Sequence, residues 1–293
     1  MKFLRLSSAV VTFSLLTLVA ITTHAQEVIS VDFTDVDGGT GKFEAILHKP
    51  EKPGPHKAIV ILHHAGGWQT QTTNQYAELL HKNGFVTLEP RMFAYPLASR
   101  RETHEPAKFL AQAFGALKYL AAMPDVDRKK ISVMGLSYGA NMTIFSATEW
   151  ASKKFADDTL GFHSGIAFYP TCFALEQMTA GKRTVLVDNN FPVDFMSKWT
   201  GMPLLILAGG QDDYEDRDPK ACQSLVDTFS AERQRKASRV VVFPEATHGW
   251  DHGRTYYFFT AMACKMRGCQ NTNESNEAVT AKAKEELVRF LMH

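Results

Sequence analysis

The stretch Gly135-Leu136-Ser137-Tyr138-Gly139 constrains this chain more than any other. Lys130 to Met134 before it reads as a buried strand, and Ala140 to Trp150 after it reads as a helix. A Gly-x-Ser-x-Gly run at such a junction forces a sharp turn, in which glycines admit neighbouring backbone where a Cβ would collide. The strain falls on Ser137, whose hydroxyl then stands clear of the main chain. The Tyr138 amide and the positive end of the helix dipole would lie beside that oxygen and favour negative charge there. Five-residue matches of this kind also arise by chance, so the rest of the chain must carry the reading.

The rest alternates. Val28 to Phe33 and Lys42 to His48 have the period-two pattern of two antiparallel strands, joined through Asp37-Gly38-Gly39. Lys57 to Leu62 is a continuous apolar run, the mark of a strand covered on both faces. Strand-like and helix-like segments then take turns: a helix over Tyr76–Lys82, a strand over Phe85–Leu88, a helix over Ala107–Ala122, and the elbow strand and helix. Beyond these come strands over Gly165–Tyr169 and Pro203–Ala208, a helix over Asp218–Ser230, a strand over Arg239–Phe243 and a closing helix over Ser275–Leu291. The expectation is an α/β fold with a mostly parallel central sheet and helices on both faces. Phe173 to Met202 and Asp251 to Asn273 fit neither one strand nor one helix. Both follow strand carboxyl ends, where open parallel sheets bind ligands, so they are candidates for a substrate pocket or for plain surface loops. Asn271 to Glu274 is polar enough to be expected mobile.

Three further strand ends carry chemistry. Gly209-Gly210-Gln211-Asp212-Asp213 follows one strand and offers a loop acid, while Glu245-Ala246-Thr247-His248-Gly249-Trp250 follows the last and offers an imidazole. A serine, an acid and a histidine are the parts of nucleophilic acyl transfer. His63-His64-Ala65-Gly66-Gly67-Trp68 ends the continuous apolar strand, and its glycines would let an amide approach a reacting carbonyl. The adjacent histidines invite a metal reading, but neighbouring strand residues face opposite ways and no other ligand cluster has suitable spacing, so no metal is expected.

These motifs together resemble the dienelactone hydrolase family of the α/β-hydrolase superfamily, from about Val28 to the carboxyl terminus. The resemblance rests on Leu62-His63-His64-Ala65-Gly66-Gly67, Asp127-Arg128 leading into the elbow, Gly209-Gly210-Gln211-Asp212, and His248-Gly249-Trp250-Asp251. It implies Ser137 as nucleophile, His248 as base and Asp212 as orienting acid, with the amides of Ala65 and Tyr138 forming the oxyanion hole. Dienelactone hydrolase itself has a cysteine where this chain has Ser137, so a general esterase on small-molecule esters is expected, with lactones as a further option. A peptidase or amidase with the same triad, or a non-catalytic binding protein on this fold, are the alternatives. No cofactor is required. His64, Trp68, Arg91 and Trp250 are candidates for contact with substrate, and Arg91, Arg100 and Arg101 lie where they could receive a carboxylate.

The amino terminus bears on the compartment. Lys2 and Arg5 form a basic head, Ala9 to Ile21 an apolar run, and Thr23-His24-Ala25 a site suited to signal peptidase, so residues 1–25 read as a signal peptide and 26–293 as one domain. An uncleaved anchor is the alternative, although the run is short for a bilayer. Cleavage removes two positive charges and takes the formal charge from +1 to −1, which excludes the strongly basic balance of a nucleic-acid binder. All four cysteines lie beyond the cleavage site, as expected of disulfides in an oxidising compartment such as a bacterial periplasm or the exterior. Cys264 and Cys269 are close in sequence, and Cys172 and Cys222 follow strands expected to be neighbours, so those are the expected pairs. The alternative is four free thiols. After cleavage no stable membrane association is expected, and the oligomeric state is not legible.

Overall fold

The computed structural model describes residues 26–68, 70–93, 105–157 and 159–292. The signal-peptide reading, Arg100 and Arg101 therefore lie outside the described residues. Eight strands form one sheet: β1 (Glu27–Thr34), β2 (Thr40–His48), β3 (His56–Leu62), β4 (Val86–Pro90), β5 (Val126–Leu136), β6 (Gly165–Phe168), β7 (Leu204–Gly209) and β8 (Ser238–Phe243), in the spatial order β1-β2-β4-β3-β5-β6-β7-β8. β1 pairs with β2 and β2 with β4 antiparallel, while the other five pairings are parallel. This is the α/β-hydrolase fold.

β6, β7 and residues 58–62 of β3 are continuous apolar runs because both faces are covered. On β3, Ala58, Val60 and Leu62 join the core under α2 (Pro106–Ala122), while Ile59 and Ile61 pack on the opposite side. There they meet Tyr76 and Leu80 of α1 (Thr70–Lys82), and the same core takes in Val279, Ala283 and Leu287 of the last helix, α9 (Glu277–Met292). Two-sided burial removes the polar alternation that would otherwise mark each strand.

Several boundaries differ from the sequence expectation, each for a local reason. The helix expected over Ala140–Trp150 is two: α3 (Tyr138–Phe145) stops where Ser146 Oγ bonds back to Met142 O, and Thr148 caps α4 (Glu149–Phe155) by accepting the Ala151 N–H at 3.2 Å. α5 (Cys172–Thr179) follows β6. The helix expected over Asp218–Ser230 is confined to α6 (Ala221–Asp227), with α7 (Glu232–Ala237) after it. The unassigned stretch after His248 holds a separate antiparallel hairpin, β9 (Tyr256–Thr260) and β10 (Cys269–Asn273), around the short turn α8 (Ala263–Met266).

Two disulfides, Cys172–Cys222 and Cys264–Cys269, join α5 to α6 and close the hairpin's turn. Asn271 and Asn273, expected in a mobile segment, are buried in β10. Asn273 Nδ2 donates to Tyr256 Oη at 3.1 Å, and Asn271 Nδ2 donates to Asn273 Oδ1, so polarity there serves pairing and not solvation. Among the described residues no helix is long and apolar enough to cross a membrane.

Candidate active site

Ser137 sits between β5 and α3 with φ 51° and ψ −107°, a left-handed backbone that a non-glycine residue adopts only under constraint. The constraint is visible on both sides. A Cβ on Gly135 would lie 2.1 Å from the Gly139 carbonyl, and one on Gly139 would lie 2.4 Å from Leu62 O. Backbone therefore packs directly against backbone across the turn, and the Ser137 N–H donates to Phe168 O at 2.9 Å. The hydroxyl is thus held at the carboxyl end of the sheet.

His248 Nε2 lies 2.8 Å from Ser137 Oγ, and His248 Nδ1 lies 2.8 Å from Asp212 Oδ2. An ionised carboxylate only accepts, so the Nδ1 nitrogen donates and the Nε2 nitrogen faces the serine with its lone pair. The second Asp212 oxygen accepts the Tyr214 N–H at 2.9 Å. The loops carrying acid and imidazole are themselves joined, since the Gln211 N–H donates to Ala246 O at 2.8 Å. Tyr214 packs on the His248 ring at 4.3 Å and Tyr169 meets it edge-on at 4.9 Å, which fixes the ring plane.

A cavity of about 720 Å³ opens on Ser137 and His248. Ala65 and Tyr138, the expected amide donors, both line it, as does His64. The other expected substrate contacts do not line it. Trp250 is fully buried in the core against Phe168, Tyr169 and Phe243. Arg91 donates to Glu44 Oε2 at 2.8 Å and lies over the Trp68 ring at 5.2 Å, so both side chains are engaged away from the cavity. Their positions after strand ends put them near the sheet's carboxyl edge, but only the fold decides which way each points.

The adjacent histidines do face opposite ways. His63 packs on Phe93 at 4.5 Å, while His64 lies 4.6 Å from the ring of His252, which also lines the cavity. Burial holds His63, His64 and His252 neutral, with pKa values lowered to about 3, and for the last two the neighbouring His248 and Arg254 add to the effect. The Gly66 N–H donates to His64 Nδ1 at 2.8 Å, which places the His64 proton on Nε2. Among the described residues no group of three or more His, Cys, Asp or Glu side chains is disposed to hold a metal ion.

The two stretches offered as pocket candidates, Phe173 to Met202 and Asp251 to Asn273, both supply lining residues, but sequence reasoning gave no role to the individual side chains that wall and brace the site. Asp251 is buried and accepts the hydroxyls of Tyr76 and of Tyr169, the latter at 2.7 Å, so it locks the ring beside His248 to α1. Burial raises its pKa. Asn141 on α3 and Thr171 after β6 exchange two hydrogen bonds, at 2.9 and 3.0 Å. Glu215, buried behind Asp212, accepts the Phe173 N–H at 2.8 Å; burial first, and the Asp212 charge second, raise its pKa to about 8. Val185 and Leu186 line the cavity together with the hairpin residues Tyr256, Phe258, Phe259 and Thr260. The signal available beforehand was the aromatic run Tyr256 to Phe259, directly after the histidine loop.

Comparison with known proteins fits this architecture. The profile of the dienelactone hydrolase family matches residues 43–293. The chain belongs to that family. A curated relative, the uncharacterized protein YcjY of Escherichia coli K12, is 29% identical over 129 residues, covering 41% of this chain and 40% of the relative. The match thus spans less than half of either protein. Among solved structures, this dienelactone hydrolase family member is similar to apo Thermogutta terrifontis esterase 2, with TM-score 0.61 and 18% identity over 94% of this chain and 97% of that one. It is also similar to a dienelactone hydrolase-like promiscuous phosphotriesterase, P91, from metagenomic libraries, with TM-score 0.60 and 17% identity over 92% and 98%. These likenesses concern the fold.

Proposed function

We propose that this protein is an exported serine hydrolase of carboxylic esters, acting through an acyl-enzyme with Ser137 as nucleophile, His248 as general base and Asp212 as orienting acid. The observation that carries this is the unbroken relay Ser137 Oγ, His248 Nε2, His248 Nδ1, Asp212 Oδ2, with 2.8 Å at each hydrogen bond, at the rim of a cavity. His248 takes the serine proton as Ser137 attacks the ester carbonyl. The amides of Ala65 and Tyr138 receive the oxyanion, with the start of α3 behind it. His248 then returns the proton to the leaving alcohol, and a water activated the same way releases the acid. Export is supported by the amino-terminal pattern and the two disulfides, which suit a periplasmic or extracellular setting.

A fluorophosphonate probe tests the nucleophile, since an activated serine reacts and an inert one does not. Thermogutta terrifontis esterase 2 has itself been captured phosphorylated by paraoxon. Peptide mass mapping should find the adduct on Ser137, and absence of labelling there would refute the assignment. Turnover of small p-nitrophenyl esters beside amino-acid anilides separates esterase from peptidase: the reading requires the esters to be preferred. Intact mass of the exported protein should begin at Gln26.

A further inference from the structure

The β9–β10 hairpin is attached to the triad's own supports. The Thr272 N–H donates to Asp213 Oδ2 at 2.8 Å, next to the orienting acid. Thr260 lines the cavity together with Tyr214, the ring that covers His248. Tyr256 Oη pairs with His252 Nδ1 at 2.7 Å, in the histidine's own loop. The hairpin therefore stands on the imidazole side of Ser137. Val185 and Leu186 line the cavity from a separate segment, whose following turn reaches α2 through Asp188 and the Ala107 N–H, 3.5 Å apart.

The hairpin face toward the cavity is aromatic. Tyr256 and Phe258 stack at 6.0 Å with ring planes 17° apart, and Phe259 lines the same cavity while remaining 73% exposed. Aromatic surface left in water beside a reacting serine is unfavourable until an apolar group covers it. Position and chemistry combine here. The imidazole that protonates the leaving oxygen must lie beside the alcohol half of an ester, so the wall on that side contacts the alcohol and not the acyl group.

We propose that the β9–β10 hairpin is the alcohol-side specificity wall, and that the preferred substrates are esters of bulky aromatic alcohols. This rests on the serine hydrolase reading above. Phe258, stacked on Tyr256, lines the cavity within it, and the Cys264–Cys269 disulfide closes the turn that carries the wall.

Benzyl acetate and methyl phenylacetate test it, because they are isomers that carry the same ring on opposite sides of the ester. The expected result is a kcat/KM at least about tenfold higher for benzyl acetate, the scale of discrimination a hydrophobic pocket gives. Phe258→Ala should reduce that ratio by about tenfold. Tyr257→Ala, on the same strand but not lining the cavity, should leave the ratio as in the wild type. Equal rates for the isomers, a preference for methyl phenylacetate, or an unchanged ratio in Phe258→Ala would overturn the proposal. Ser137 labelling by a fluorophosphonate, measured in parallel, separates the two readings: labelling without the alcohol preference rejects this inference alone, and no labelling rejects both.

Discussion

Asp213 turns its carboxylate away from His248 and accepts the N–H of Thr272 at 2.8 Å, while its other oxygen accepts Arg217 Nε at 2.9 Å. Its neighbour Asp212 points to His248. Two consecutive aspartates thus serve different elements, one the imidazole and one the hairpin. Asp213 is 6% exposed and pins β10 to the acid's turn.

From this contrast, Asp212→Asn should lose about ten-thousand-fold in turnover with little change in thermal stability, because an amide can no longer fix the productive His248 tautomer. Asp213→Asn should keep turnover within about tenfold yet lose about 1 kcal/mol or more of stability as a charge-assisted bond is weakened. Kinetics and melting curves of the two variants decide the assignment, and the opposite ranking would make Asp213 the acid.

The elbow glycines are required for space. Gly139→Ala would press a Cβ to 2.4 Å from Leu62 O, which only backbone movement could relieve, so a loss of about 3 kcal/mol or more is expected. At Gly161, where a Cβ would meet nothing within 4 Å, alanine should change stability by about 0.5 kcal/mol at most. Chemical denaturation of both variants checks the difference.

Stability should peak near neutral pH. His63, His64 and His252 are lowered to about 3 by burial, so the unfolded chain binds protons that the folded one refuses below about pH 6.5, and stability falls as pH drops from there. Glu215 has the opposite sign: raised to about 8, it favours the folded state at low pH and loses that contribution as pH rises from about 4.5 through 8. Melting temperature should therefore decline on both sides. Glu215→Gln should flatten the alkaline decline and leave the acid one, and an unchanged alkaline slope would show that another group controls it.

The two disulfides should differ in worth. Cys172–Cys222 spans 50 residues and Cys264–Cys269 spans 5, so restriction of the unfolded chain gives about 4 kcal/mol for the first and about 2 kcal/mol for the second. Paired Cys→Ser replacements followed by denaturant titration measure each. Loss of the short bridge should affect activity more than its stability cost implies, because its loop carries the aromatic wall.

The parallel sheet was legible in the sequence because strands buried on both faces are continuously apolar, as β7 and residues 58–62 of β3 are. Gly135 and Gly139 were legible for the same kind of reason: backbone packed on backbone admits no other residue. Local sequence also placed Ser137, Asp212 and His248 at strand ends, which parallel topology gathers along one edge. What the sequence did not contain was direction. Trp250 and Arg91 follow strand ends as His248 and Ser137 do, yet one is buried in the core and the other is tied to Glu44. The anchoring of the hairpin to Asp213, the Asp251 pairing with Tyr76 and Tyr169, and the lowered histidines arise from segments far apart in the chain, where burial and partner geometry exist only after folding. A side chain's type is written locally, but its dielectric surroundings and its neighbours belong to the tertiary structure.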